Sequence, residues 1–297
     1  MVNQFENINN NGEVISGAPP YLKDNRAFRY GDGLFETIRV IDGRPVNLQS
    51  HIDRLFQGAT TLSFSLPSHY SLDFFKAEIG KLIGSNNIEV GAKLRLHMYR
   101  AGEGTYRSQE DAVRYLITAE EVANNLYTIN LEGLSVDIFS EMKKERNILS
   151  SLKTANSLLY VMAMNYAKKN KLDEAFILNN NGHIIECSQS NVFLVSNGVL
   201  YTPPLSDGCV GGTMRMNLIN LAIEKKVTIY ESSLTPQNLL AADEIILTNA
   251  VQGVQWVGAF RTKRYYNKVA KELLNAIIEK ESQTSLKKDP QGNLQSL

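Results

Sequence analysis

Residues 150–156 read SSLKTAN and carry Lys153, a candidate for a reactive amine. Lys153 stands just before a segment with helical spacing, which predicts a helix from Asn156 to Lys169. Its neighbours are small, uncharged and partly apolar, and such surroundings desolvate an amine and lower its pKa. A lysine at a helix start is more commonly a solvated side chain. This stretch therefore leaves both interpretations open.

A carboxylate follows on a predicted strand. Residues 184–191 read IIECSQSN, and Glu186 interrupts an otherwise apolar pattern between Ile185 and Val192. An edge strand that turns this carboxylate toward water would explain the pattern. The functional alternative is a buried carboxylate that holds a proton on a heteroaromatic nitrogen.

Two further stretches are candidates for binding an anion. Residues 208–215 read GCVGGTMR and lead into a helix predicted from Thr213 to Lys225. Converging backbone amides and the helix dipole there would suit a phosphate, although glycine turns before helices are common. Residues 51–55 read HIDRL at the start of an amphipathic helix. Arg54 is either an ordinary surface arginine or, if it points inward, a two-point phosphate clamp.

Together the four stretches hold an amine nucleophile, a carboxylate for a pyridine nitrogen, a phosphate cradle and a guanidinium. That set of groups is what binding of pyridoxal 5′-phosphate requires. Spacing alone does not establish this function, because each of the four motifs is individually weak.

Composition restricts the partners. The 297 residues are 43% hydrophobic, and 31 basic residues balance 31 acidic ones. This balance argues against binding to nucleic acid or an anionic membrane and favours a small-molecule substrate. Cys187 and Cys209 lack metal-ligand spacing and a disulfide framework, as is typical of a reducing compartment. The first residues do not resemble a secretion signal, and no apolar run approaches the ~20 residues that span a bilayer. We expect a cytoplasmic protein without a metal.

Turn signals divide the first part of the chain into short strands and helices. Asn11-Gly12 and Asp42-Gly43 predict hairpin turns. Helical spacing covers the stretches around 52–62 and 72–83, and strands are predicted at 34–40, 44–48, 92–99 and 112–119. We predict a small α/β domain over residues 1–119, followed by an interdomain linker over residues 120–125.

Residues 126–282 are predicted to form a second, larger, cofactor-binding domain. Besides the helices at 156–169 and 213–225, the patterns predict three or four strands between Glu174 and Thr202, strands near 134–138, 227–231 and 244–249, and a closing helix over 267–281. Residues 283–297 are predicted to be a polar, mobile tail.

In their order along the chain and in their residues, these clusters resemble the class IV, fold-type IV pyridoxal-phosphate enzymes. That family contains branched-chain aminotransferases, D-amino-acid aminotransferases and aminodeoxychorismate lyases. The resemblance runs from about Arg29 to Val257 and also includes YGDGLFE at 30–36, YTPP at 201–204 and ADE at 242–244. It implies a two-domain α/β (α+β) fold similar to D-amino-acid aminotransferase, with a small α/β domain, a larger α/β pseudo-barrel domain and the cofactor in the cleft. It also implies a homodimer at least, with each site completed by the neighbouring subunit.

The same resemblance implies roles for individual residues. Lys153 would hold pyridoxal 5′-phosphate as a Schiff base and move the proton, and Glu186 would pair with the pyridinium nitrogen. Other cofactor contacts are implied for Arg54, Ser190, Asn191, Thr213, Met214, Thr248 and Asn249. Arg54 and the backbone amides of Thr213 and Met214 would hold the phosphate. Thr248 or Asn249 would add a contact, because Ala250 stands where aminotransferases carry a threonine. Substrate-binding candidates are Tyr30, Arg95, Arg100 and Arg107.

Substrate choice within the family rests on a few departures. Leu158 stands at the position of the tyrosine found in branched-chain aminotransferases, and Asn249-Ala250 resembles the lyases. The turn Gly212-Thr213-Met214-Arg215 also looks like theirs. These departures favour 4-amino-4-deoxychorismate lyase, which releases pyruvate and 4-aminobenzoate. The alternatives are a branched-chain or other aliphatic aminotransferase, a D-amino-acid aminotransferase, and a non-catalytic protein that binds the cofactor. The presence of both Lys153 and Glu186 argues against the last.

Overall fold

Two β-sheets, joined by a connection that leaves the first sheet after Glu121 and enters the second at Leu134, organise the chain. The computed structural model describes residues 6–17 and 25–286. Within these residues no helix combines the length and apolar character needed to cross a membrane.

The first sheet has six strands in the order β2-β1-β6-β5-β3-β4, and all of its neighbouring strands are antiparallel. Its elements are β1 (Asn7–Asn10), β2 (Glu13–Ser16), α1 (Arg26–Tyr30), β3 (Gly33–Ile41), β4 (Arg44–Pro45), α2 (Leu48–Thr61), α3 (Leu72–Ser85), β5 (Ala92–Arg100) and β6 (Val113–Glu121). Alternate residues of β5 and β6 are buried, and the apolar faces of α2 and α3 share a core with them. Burial of that face holds both helices on the sheet.

The second sheet has nine strands in the order β12-β11-β10-β13-β14-β7-β8-β9, with β15 paired to β14. Its elements are β7 (Leu134–Lys144), α4 (Leu158–Lys169), β8 (Glu174–Asn179), β9 (Ile184–Cys187), β10 (Asn191–Ser196), β11 (Val199–Thr202), a 3₁₀ turn (Leu205–Asp207), α5 (Thr213–Glu224), β12 (Ile229–Glu231), α6 (Pro236–Ala241), β13 (Glu244–Asn249), β14 (Gly253–Phe260), β15 (Lys263–Arg264) and α7 (Lys268–Leu286). β8 and β13 are buried on both faces, because helices and the curled sheet cover them.

The second sheet curls into a half-barrel. β9 lies at one end of the strand order and β10 lies in its interior, yet three residues join them and the Cys187 amide donates to the Ser190 carbonyl at 2.7 Å. The sheet therefore bends until these strands meet. The two-sheet α/β (α+β) fold with a larger, curled pseudo-barrel sheet, which the resemblance implied, is confirmed.

Some element boundaries differ from the predictions. β7 continues six residues beyond the predicted end to Lys144, and α4 begins at Leu158 rather than Asn156. Helices α1 and α6 and strands β14 and β15 were not predicted, because each is short or lacks a clear hydrophobic period. α7 continues to Leu286, so residues 283–286 are helical, and the rest of the predicted tail lies outside the described residues.

Side chains of the first sheet fix the connection between the sheets. The Arg39 guanidinium, on β3, donates to the carbonyls of Asn124 and Asn125. The Asn125 side chain accepts from the Asp42 amide at 3.1 Å and donates to the Asp42 carboxylate at 2.5 Å. β6 includes residues 120 and 121, so only residues 122–125 of the predicted linker lie beyond the strand. The division at this point into two domains remains a prediction.

The two sheets also meet at Lys153. The Phe35 amide donates to the Lys153 carbonyl at 2.9 Å, and the Ala155 amide donates to the Gly33 carbonyl at 2.8 Å. The backbone around Lys153 thus pairs with the start of β3, although it belongs to the loop between β7 and α4. This pairing places the lysine at the junction between the sheets.

Candidate active site

A cavity of about 640 Å³ lies between the sheets and receives side chains from both. The structure brings together there all the residues with predicted cofactor contacts: Arg54, Lys153, Glu186, Ser190, Asn191, Thr213, Met214, Thr248 and Asn249. Arg95, one of the four substrate candidates, also lines it. In the described part of the chain no group of three or more histidine, cysteine or acidic side chains could hold a metal ion.

Lys153 presents its amine to this cavity. Its Nζ lies 4.2 Å from the centre of the Phe35 ring. Burial, followed by repulsion from the Arg54 cation, lowers the pKa of Lys153 from 10.5 to about 8. A substantial fraction of the amine is then unprotonated slightly above neutral pH, which a nucleophile or a proton acceptor needs.

Glu186 is a buried carboxylate on β9, only 2% exposed. Its Oε1 accepts from Lys144 Nζ at 2.7 Å and from the Tyr160 hydroxyl at 2.9 Å, and its Oε2 accepts from the Val210 amide at 2.8 Å. The position of Val210 in the glycine turn links the carboxylate to the loop that begins α5. The alternative that Glu186 faces water from an edge strand is wrong: β9 is an edge strand, but all four of its residues are buried.

The start of α5 offers donors to an anion. No side chain caps the N-terminus of α5, and its first residues, Thr213 and Met214, line the cavity. Thr248 has a buried hydroxyl without a hydrogen-bond partner in the described structure, and this side chain also lines the cavity. Free amides, the helix dipole and an unsatisfied hydroxyl together suit a phosphate.

Gly212 is required at this turn. A Cβ atom there would lie 1.9 Å from Oδ1 of Asn191, whose amide nitrogen donates to the Val210 carbonyl at 2.8 Å. The contact between the Asn191 side chain and the turn therefore leaves no room for a side chain at position 212. Nearby, Asn249 Nδ2 donates to Ser190 Oγ at 3.2 Å, which joins the ends of β10 and β13.

Arg54 points inward, which excludes the surface interpretation. Its guanidinium donates to both carboxylate oxygens of Glu36 and, at 2.7 Å, to the Gly211 carbonyl. These bonds use three of the five N–H groups of an arginine, and two remain for an anion. The Glu36 carboxylate also contacts His51 Nδ1 at 2.6 Å.

Glu36 and His51 differ in charge near neutral pH. Burial alone would raise the pKa of Glu36, but Arg54 and His51 outweigh it and lower the value from 4.5 to about 2. Burial lowers the pKa of His51, and contact with Glu36 opposes that shift only in part. The imidazole is therefore neutral near pH 7, and its Nε2 lies 3.3 Å from the Thr213 hydroxyl.

Two basic residues of β5, Lys93 and Arg95, form a cationic wall of the cavity. The Arg95 guanidinium carbon is 4.0 Å from the centre of the Phe35 ring, and its Nε donates to His97 Nε2 at 2.8 Å. Burial and the neighbouring Arg95 lower the pKa of His97 to about 4, so this imidazole accepts as a neutral group. Lys93, which also lines the cavity, forms an ion pair with Glu120 at 2.6 Å.

Three predicted substrate residues lie outside this cavity in the single chain. Tyr30 donates its hydroxyl to the Gly104 carbonyl at 3.1 Å. Arg100 is paired with Asp32 and Asp111. Arg107 is exposed in the loop between β5 and β6. Within the single chain these three residues do not line the cavity, so their substrate-binding roles remain predictions.

The tyrosine argument needs correction. Leu158 is 68% exposed and does not line the cavity, whereas Tyr160, two residues later, reaches Glu186. The absence of a tyrosine at position 158 therefore does not leave the site without one. Position 158 is the first residue of α4, and it faces away from the cavity.

The sequence reasoning missed three residues that position the site: Glu36, Lys144 and Tyr160. A signal existed for Glu36, because a lone acid in a strand of buried residues needs a partner. Lys144 lies beyond the predicted end of β7, and Tyr160 lies within the predicted helix from Asn156 to Lys169. The sequence carried no comparable signal for these two.

Comparisons with known proteins agree with this geometry. The model of the family described as amino-transferase class IV matches residues 33–260, more than half of the chain. A putative branched-chain-amino-acid aminotransferase of Methanocaldococcus jannaschii is 30% identical over 262 residues, which cover 84% of this chain and 86% of the relative. A D-alanine aminotransferase of Listeria innocua is 27% identical over 275 residues, covering 87% and 92%.

Solved structures agree as well. A putative 4-amino-4-deoxychorismate lyase from Legionella pneumophila superimposes with a TM-score of 0.80 at 26% identity, covering 88% of this chain and 96% of that one. The relatives thus represent three activities within one family. The match over most of the chain and the assembled cavity lead to one conclusion: this protein is an enzyme that belongs to the amino-transferase class IV family.

Proposed function

We propose that the cavity binds pyridoxal 5′-phosphate and that the enzyme is a 4-amino-4-deoxychorismate lyase. The polar groups that line the cavity fit the phosphate and the ring nitrogen of this cofactor. The α5 amides, Thr248 and the two unused N–H groups of Arg54 would hold the phosphate, and Glu186 would hold a proton on the ring nitrogen. Lys153 would bind the aldehyde carbon.

When bound, pyridoxal 5′-phosphate supplies an electron sink for the pair left by a broken C–H bond. The protein groups have separate tasks around it. Glu186 keeps the sink effective by holding the ring proton, and the buried Lys153 amine accepts the proton from the substrate carbon beside the amine. Removal of that proton and cleavage of the C–O bond to the enolpyruvyl group would leave 4-aminobenzoate, and the departing enolpyruvate takes up a proton to become pyruvate. This balance needs neither an oxidant nor an amino acceptor.

The observation that carries the lyase proposal is the cationic wall on β5. Arg95 and Lys93 face the same cavity as Lys153, and in the described structure no carboxylate lies within ion-pair distance of Arg95. An aliphatic amino acid would bring one carboxylate, its α-carboxylate, to this wall, where Glu120 already attracts the partly buried Arg95 guanidinium. Aminodeoxychorismate would bring two carboxylates to the same cations.

Asn249 adds support from the sequence pattern. Its side-chain Oδ1 accepts from the backbone amides of Val251 and Gln252 at 3.0 and 2.8 Å, which folds residues 249–252 into a tight turn at the cavity edge. The side chain is therefore integral to the turn. This is the Asn-Ala pair that resembles the lyases.

A branched-chain or other aliphatic aminotransferase is the second candidate. Leu149, Leu152 and Leu159 line the cavity and would accept an apolar side chain. The identity to a putative branched-chain enzyme favours it as well. The deciding experiment measures 4-aminobenzoate from aminodeoxychorismate beside leucine transamination to 2-oxoglutarate, both with the cofactor-loaded enzyme. Product from leucine alone would reject the lyase and leave the cofactor proposal standing.

We also propose that the enzyme is a homodimer. Phe28, Tyr106, Leu158 and Val161 are large apolar side chains that are half or more exposed in the single chain. The Tyr106 ring lies 5.8 Å from the Tyr30 ring and precedes Arg107 in the chain, so a second copy covering Tyr106 could bring these residues to a neighbouring cavity. Light scattering after size exclusion should give twice the chain mass, and Leu158→Asp should reduce it. A monomeric wild type would reject the dimer.

A further inference from the structure

Lys144 is a largely buried cation beside Glu186 that the proposed reaction does not use. It ends β7, and its side chain is 12% exposed. Its amine donates to Glu186 Oε1 at 2.7 Å and to the Ser150 carbonyl at 2.8 Å. Both acceptors belong to the cavity lining, so Lys144 is anchored within the site.

The donors around Glu186 leave little of the carboxylate free. An ionised carboxylate has about four acceptor positions. Lys144 and Tyr160 use two on Oε1, and the Val210 amide uses one on Oε2. These donors come from β7, α4 and the glycine turn, so they fix the carboxylate in orientation. One acceptor position on Oε2 remains for a ring nitrogen.

The other titratable groups facing Glu186 do not balance its charge. They are Lys153, Tyr160, Cys187 and Cys209. Burial raises the pKa of Tyr160 and of both thiols, to about 12 for Cys209, so these three are uncharged near neutral pH. The amine of Lys153 is committed to the cofactor in the proposed function. Lys144 is the remaining cation among the described groups.

We propose that Lys144 is a positioning residue that orients the Glu186 carboxylate and supplies its counter-charge, and that sets how strongly Glu186 holds a proton on the bound ring nitrogen. The second half of this inference rests on the proposed cofactor. A buried carboxylate without a counter-charge takes up a proton or destabilises the fold. Lys144 prevents this before the cofactor arrives. Because Lys144 also neutralises part of the carboxylate charge, it weakens the attraction between Glu186 and the ring proton.

Three variants of the full-length enzyme test the proposal. Lys144→Met keeps the length of the side chain and removes its charge, and Lys144→Arg keeps the charge. Lys143→Met is the matched control, because Lys143 precedes Lys144 on β7 and is exposed. The first measurement is the melting temperature of each protein with and without pyridoxal 5′-phosphate.

Lys144→Met should lower the melting temperature of the cofactor-free enzyme by roughly 10 °C, as expected for breaking a buried ion pair. The loaded enzyme should lose clearly less, because the ring cation replaces the lost lysine charge. Lys144→Arg and Lys143→Met should stay close to wild type in both forms. An equal loss with and without cofactor would show only a structural role and would overturn the proposal.

The second measurement follows the ring nitrogen itself by ¹⁵N NMR with isotope-labelled cofactor over a range of pH. In Lys144→Met the nitrogen should keep its proton to higher pH than in wild type, and Lys144→Arg should restore the wild-type titration. Identical titrations in wild type and Lys144→Met would overturn the proposal while leaving the cofactor assignment intact. If wild type failed to bind the cofactor, the proposed function and the ring-nitrogen role would both fall.

Discussion

Glu36 and Arg54 form a two-point ion pair inside the protein: Nε lies 2.8 Å from Oε1 and Nη2 lies 2.5 Å from Oε2. The guanidinium is thereby held with its remaining N–H groups toward the cavity. Its third bond, to the Gly211 carbonyl, reaches the turn before α5 in the other half of the molecule. The pair therefore orients the arginine and connects the two sheets at the anion site.

Replacement of Glu36 should make stability depend less on pH. The pKa of Glu36 is lowered from 4.5 to about 2 in the folded protein, so its stabilisation is complete above pH 4.5 and is lost as the pH falls toward 2. Glu36→Gln should cost about 3 kcal/mol near neutral pH, as an order of magnitude from that shift. Thermal unfolding of both proteins between pH 6 and 3 checks this. The difference should shrink toward pH 3, and a constant difference would contradict the assignment.

Arg54→Ala should chiefly weaken cofactor affinity, by ~2–5 kcal/mol for a partly buried charge-assisted contact. Titration of cofactor-free protein with pyridoxal 5′-phosphate gives the affinity. Arg146→Ala is a suitable control, because Arg146 is an exposed arginine outside the cavity lining. Equal affinities for wild type and Arg54→Ala would show that the two free N–H groups do not contact the phosphate.

Lys153 should be the point of covalent attachment. Borohydride should fix pyridoxal 5′-phosphate to this residue, and Lys153→Ala should lose turnover by several orders of magnitude, because nucleophile and proton acceptor disappear together. Cofactor capture by the free enzyme should accelerate as the pH rises through about 8, the pKa at which the Lys153 amine loses its proton. Peptide mapping identifies the modified residue. A label on another lysine would end this assignment.

Glu186→Gln should still bind the cofactor but turn over much more slowly. An amide cannot hold the ring nitrogen protonated, so the electron sink is lost while Arg54, Thr248 and the α5 amides still bind the phosphate. The comparison requires cofactor affinity and the steady-state rate of the same variant. A near-normal rate would show that the carboxylate does not serve the ring nitrogen.

The lyase proposal predicts turnover without a keto acid. Release of 4-aminobenzoate should proceed with aminodeoxychorismate alone, and the absorbance of the aldehyde form of the cofactor should persist throughout. Arg95→Leu should reduce kcat/KM by about 10–100-fold, the range for losing one charge-assisted contact. An aminotransferase would instead bleach when given leucine or glutamate alone and would show ping-pong kinetics. Those results would transfer the assignment to the branched-chain enzymes.

Some features of this protein follow from the sequence alone. Alternating and 3.6-residue hydrophobic periods predicted most strands and helices, because burial of one face is a local property of the pattern. The stretches SSLKTAN, IIECSQSN, GCVGGTMR and HIDRL indicated the cavity residues for a similar reason. Each stretch needs a particular residue type at a particular turn or strand. Gly212 is an example, because a Cβ atom at this position would clash with the Asn191 side chain.

The tertiary structure decided which polar groups face each other. Glu36 and Arg54 are 18 positions apart, Lys144 and Glu186 are 42 apart, and Arg54 and Gly211 are 157 apart. No local pattern records such pairs, because they depend on sheet order and on the curl that brings β9 against β10. The local pattern also did not show which side of α4 faces the cavity. Leu158 lies at the surface, and Tyr160 contacts Glu186. A two-residue step turns a helix by roughly 200°, so neighbouring positions can serve opposite sides of the same element.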